Sequence, residues 1–150
     1  MLKVTVIAVG KLKERFWKDA CAEYLKRLGA YVKMDMHEVP DSSAQREAPL
    51  IANVLAGLPP DTHVVLLDIA GTPTSSEQLA DKLDIIALQG VSNIAFIIGG
   101  SDGVLENVRK AAHERMSFGP ITLPHNLARV VLLEQIYRAC KINRSEPYHK

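Results

Sequence analysis

Two cysteines in 150 residues cannot staple a fold, so the chain must hold together by its core and suits a reducing compartment. It also lacks any apolar run near the roughly 20 residues that a membrane span requires. The apolar opening, Met1 to Gly10, alternates and has no basic leader or small-residue cleavage site. It reads as a first strand rather than a signal peptide, and the expected location is cytoplasmic. Net charge is only +1, so the molecule as a whole does not advertise a polyanion partner. GxGxxG followed by an acid is absent, as is GxxxxGK[ST], which argues against a dinucleotide site and an NTPase. The five histidines are scattered and share no metal-ligand spacing with the cysteines, so no metal is expected.

What is present is an ordinary globular composition, 47% apolar and 23% charged, in a length that fits one domain over residues 1–150. Residues 2–9 read as a strand. Glu14 to Leu28 reads as an amphipathic helix, with Phe16, Trp17, Ala20, Cys21, Tyr24, Leu25 and Leu28 at spacings of three and four and Gly29 as a left-handed stop. Tyr31 to Val39 alternates as a half-exposed strand. A helix through Leu50, Ile51, Val54 and Leu55 follows a polar stretch, with Pro49 tolerable only in its first turn. His63 to Ile69 and Ile94 to Ile98 are continuous apolar strands, the former closed by a turn at Gly71-Thr72-Pro73. Ser75-Ser76-Glu77-Gln78 has the form of a capping box opening a helix to Leu88. His113 is placed on a helix. Continuous apolar strands alternating with helices predict an α/β fold with a parallel sheet covered on both faces.

In such sheets ligands bind beyond the carboxyl ends of the strands. Three segments reach that edge: Leu67 to Gly71, Gly99-Gly100-Ser101-Asp102-Gly103, and Gly119 to Pro124. Taken alone, the glycine loop is equally a tight strand-to-helix turn. Asp68 is a candidate base or a helix cap, and Cys140 reads as core packing. Val130 to Leu133 is apolar on consecutive positions, so the last helix is expected to be buried on more than one side, its spare face against a second subunit. From His125 to Lys150, five basic residues (Arg129, Arg138, Lys141, Arg144, Lys150) face two acids, Glu134 and Glu146. That excess is either a solvated surface or a nucleic-acid contact.

Taken in series, Ile97-Ile98-Gly99-Gly100 with Gly103, Thr122-Leu123-Pro124-His125, Arg129-Val130, Glu134 to Ala139 and Pro147-Tyr148-His149 resemble the RlmH family of SPOUT methyltransferases. Ala8-Val9-Gly10, Glu23 to Arg27 and Leu67-Asp68-Ile69 extend the likeness over essentially the whole chain. The resemblance implies a SPOUT-type parallel sheet flanked by helices with a C-terminal trefoil knot, which generic topology rules would not have drawn. It implies a homodimer that uses S-adenosyl-L-methionine to methylate N3 of a pseudouridine in large-subunit (23S) ribosomal RNA, met within the ribosome. Leu67, Asp68, Gly100, Gly119, Pro120, Ile121, Thr122, Leu123 and Pro124 would form the cofactor pocket. Arg129, Arg138, Arg144 and Tyr148 would meet RNA, and His149 is the tail residue best suited by type to take the proton. The competing reading is a non-catalytic RNA-binding or ribosome-binding module that retains the fold.

Overall fold

The computed structural model describes residues 1–150. Five strands form one all-parallel sheet in the order β2-β1-β4-β3-β5, where β1 is Lys3–Val9, β2 Lys33–Val39, β3 His63–Pro73, β4 Asn93–Ile98 and β5 Glu114–Ser117. Side chains alternate across it. Val4, Val6, Ala8, Ile94, Phe96 and Ile98 enter one core, while Ile7, Val9, Ala95 and Ile97 enter the other. The first core is covered by α1 (Arg15–Leu28), α3 (Ser76–Leu88) and α5 (His125–Asn143), the second by α2 (Ala44–Ala56) and α4 (Glu106–Ala111). Two covered faces explain why the central strands carry unbroken apolar runs. No helix is long and apolar enough to cross a membrane.

Several boundaries differ from expectation for identifiable reasons. Ser43 caps α2, accepting from the Arg46 amide, so the helix begins at Ala44 and Pro49 falls in its second turn. Gly29 has φ −57°, so α1 closes on amide bonds to Leu25 and Lys26 carbonyls without a left-handed residue. β3 continues through Gly71-Thr72-Pro73, because after a register shift between Leu67 and Thr72 it pairs again with β5. His113 is not helical. It lies between α4 and β5, accepts the Val64 N–H at 2.9 Å and stacks on His63. The capping box at Ser75 is present with both reciprocal bonds.

The last helix is the largest reinterpretation. Leu132, Leu133, Ile136 and Ala139 are fully buried within the single chain, because α5 packs against both α1 and α3. Leu132 and Leu133 are therefore core residues of the protomer and not a spare face, while Val130 and Val131 are half-buried.

Candidate active site at the carboxyl edge of the sheet

The order of the strands brings three loops to one place. β3 and β4 pair directly, so Leu67 lies beside Ile98 and the segments that follow them diverge from a common edge. β5, paired on the other side of β3, delivers Phe118 to Pro124 to the same edge. Between the loops lies a cavity of about 670 Å³, within the range of small-ligand sites. Leu67, Asp68, Gly100, Gly119, Ile121, Thr122, Leu123 and Pro124 line it, and Pro120 alone of the expected pocket residues does not. Met116, Phe118, Arg109, His125 and Ala128 also line it. Sequence reasoning missed Arg109, Met116 and Phe118 because β5 and α4 are too short and too charged to show a period.

Backbone geometry opens the loops to a ligand. Gly103 and Gly119 have φ +74° and +107°, and nothing lies within 4 Å of where a Cβ would stand. Both are conformations that favour glycine, and both leave main chain uncovered. Ser117 fixes the turn, its hydroxyl donating to the Gly119 carbonyl and accepting the Gly119 amide, each at 3.0 Å. Asp68 accepts the Ala70 amide at 3.0 Å and lies 3.6 Å from both Arg109 and Arg115. It is a carboxylate held by two guanidiniums, so its loop is fixed electrostatically as well as by the sheet.

The basic residues divide by environment. Arg129 is 2% exposed and donates to Glu38 at 2.6 Å and to the Gly10 carbonyl at 2.9 Å. It ties α5 to the ends of β1 and β2 and presents nothing to a phosphate, contrary to the expected RNA contact. Arg138 makes two hydrogen bonds to Glu134, at 2.9 and 2.6 Å, and covers the Tyr148 ring. Lys141 is bound by Glu146, and Arg144 is exposed, stacked over Tyr31. Burial, then the Glu134 charge, pushes the Tyr148 phenol up to about 12, so it remains a neutral donor. His149 accepts from Arg138 at 3.1 Å through Nδ1, because a guanidinium can only donate. Its Nε2 then carries the hydrogen and donates to Glu77 at 2.6 Å. Neither His149 nor Tyr148 reaches the cavity of its own chain. Glu134 and Arg138 lie six to ten residues beyond Ala128 on α5, or roughly 9–15 Å at the helical rise. Cys140 is buried and its thiol pushed up to about 11 by that burial, as core packing requires.

The sequence model of a family described as Predicted SPOUT methyltransferase matches residues 2–149. The chain belongs to the SPOUT methyltransferases. It is 48% identical to the Ribosomal RNA large subunit methyltransferase H of Bacillus cytotoxicus, with 99% of this chain and 100% of that protein covered. It is 46% identical to the protein of the same name from Bacillus thuringiensis, over the same shares. Among solved structures, a probable methyltransferase from Bordetella pertussis Tohama I superposes with a TM-score of 0.62 at 15% identity, covering 93% of this chain and 95% of that one. At that identity the likeness shows the fold alone.

Proposed function

We propose that the chain, working as one SPOUT domain over residues 1–150, is an S-adenosyl-L-methionine-dependent methyltransferase acting on N3 of a pseudouridine in large-subunit ribosomal RNA. The observation that carries the reading is the cavity, bounded by three loops at the carboxyl edge, in a chain similar over its full length to large-subunit rRNA methyltransferases. The residues fit the cofactor. Leu67, Ile121 and Leu123 offer apolar faces for a purine, and the bare backbone at Gly103 and Gly119 offers close approach. When bound, the cofactor supplies an electrophilic methyl group on a sulfonium. A homodimer, the trefoil knot and a cytoplasmic location belong to the same proposal. Phe16, 63% exposed on α1 beside Trp17, supports a further apolar contact.

The protein's remaining task is the acceptor. N3 of a pseudouridine is an imide nitrogen that holds its proton at neutral pH, so a base must take that proton or a cation must stabilise the anion. His149 is the proposed base. In its bond to Arg138 the Nδ1 lone pair is occupied, and Nε2 is the donor to Glu77. The imidazole can accept a proton only after Nδ1 leaves Arg138, so engagement of RNA or a second subunit must draw the tail from this latch. Arg144, exposed and without a carboxylate partner, is the proposed phosphate contact. Single-turnover methylation separates the two roles. His149→Ala should slow the chemical step at saturating RNA and cofactor, whereas Arg144→Ala should weaken RNA binding and leave the saturated rate intact. A parental rate in His149→Ala would move the base elsewhere.

A further inference from the structure

Glu47 lies in the first turn of α2 and is 2% exposed, yet it has no cationic partner. The only hydrogen bond to its carboxylate comes from the Ser42 amide, 2.7 Å from Oε2. A buried carboxylate is costly unless its charge is answered, and here one N–H and the positive end of a helix answer it in part. Asp68, the carboxylate that lines the cavity, is already neutralised by Arg109 and Arg115. Glu47 is not. Its two carboxylate oxygens lie 3.3 and 3.4 Å from the point where a side chain on Gly100 would begin, and Gly100 is cavity wall. Only the backbone of one glycine therefore separates an unpaired buried charge from the ligand space.

We propose that Glu47 is the charge-selecting residue of this cavity: it favours the positively charged methyl donor over the neutral thioether left after transfer. The inference rests on the cofactor reading above and adds a residue to it. Glu47 needs no contact with the ligand, because its field acts through a low-dielectric wall. Two unit charges about 10 Å apart, at an effective dielectric constant of about 20, shift an equilibrium by roughly tenfold. The two ligands share the adenosine and amino-acid parts, so uniform contacts cancel between them, and the methyl group with its sulfonium charge is what differs. Selection of this kind lets product leave while donor concentrations keep the site filled.

Glu47→Gln tests it, since glutamine keeps an acceptor oxygen for the Ser42 amide and removes only the charge. Parent and variant are titrated calorimetrically with S-adenosylmethionine and with S-adenosylhomocysteine, and thermal melting is recorded for both. The parent should prefer the donor. The variant should lose about tenfold in donor affinity, hold product affinity within about twofold, and melt no lower than the parent. Equal losses for both ligands, or no loss for either, would overturn the charge role and leave Glu47 a structural residue. If the variant does not fold, the parent alone decides, because equal affinity for the two ligands overturns the proposal. A parent that binds neither ligand instead defeats the cofactor reading and this inference with it.

Discussion

Ile121 is 72% exposed and yet lines the cavity, a combination that makes it a clean probe. An apolar side chain left in water contributes nothing to the fold, and covering it with a purine is worth up to about 1.5–3 kcal/mol. Ile121→Asp should therefore lower cofactor affinity at least about tenfold while stability changes by no more than about 0.5 kcal/mol. Calorimetry and a denaturant melt check the two halves, and parental affinity would remove this residue from the site. Gly100→Val is a poorer probe. Its Cβ would stand 3.0 Å from Val9 Cγ1 and close to Glu47, so it disturbs packing before it reaches a ligand.

At the opposite, amino-terminal edge, Glu114 receives Lys82 and, at 2.6 Å, His63. Burial opposes its charge, but the hydrogen bonds from Lys82 and His63 outweigh burial and hold the carboxyl below its usual range. The folded value lies below the unfolded one. The stability it contributes is thus complete above the ordinary carboxyl range and is lost as pH falls through the folded value. Glu114→Gln should be less stable than the parent at neutral pH, and the difference should vanish in acid. Urea melts across that range give the check, and a constant difference would assign the loss to geometry instead of charge.

At the scale of elements, legibility followed how local the cause was. The cap of α3 was readable because Ser75 and Gln78 satisfy each other's backbone within four residues, at 3.1 and 2.8 Å. Ser75→Ala should cost about 1 kcal/mol and lower the melting temperature by about 2–4 °C in a chain of this size. A shift below one degree would mean that tertiary packing holds the helix end without its cap. β5 was not readable, and the helix expected to carry His113 ends at Ala111. Glu114-Arg115-Met116-Ser117 becomes a strand because β3 offers it an edge, a cause that lies some fifty residues away in sequence. α5 shows how a correct pattern can mislead. Its apolar consecutive positions did mark burial on several sides, but the neighbours are α1 and α3 of the same chain. Leu132→Glu would accordingly unfold the protomer and report nothing about a dimer.

For the whole molecule, unbroken apolar strands predicted two covered faces, and the carboxyl-edge rule pointed to the three loops that line the cavity. Strand order was beyond reach, and it is strand order that seats Phe118 to Pro124 opposite Gly99 to Gly103. Counting charge along the tail also overstated what RNA can meet. Arg129 is spent on Glu38, Arg138 on Glu134 and Lys141 on Glu146, whereas Arg144 and Lys150 remain exposed. If RNA binds along the tail as proposed, so few free cations give it little salt-dependent attraction there.

The most direct test of the account is methyl transfer itself. Large ribosomal subunits whose RNA is unmodified at the site are incubated with the protein and methyl-labelled S-adenosylmethionine, and the digested nucleosides are identified by mass spectrometry. The account predicts label on N3 of a pseudouridine, dependent on both protein and cofactor. RNA that stays unlabelled while the protein binds the cofactor, or a methyl group found on another nucleoside, would contradict it.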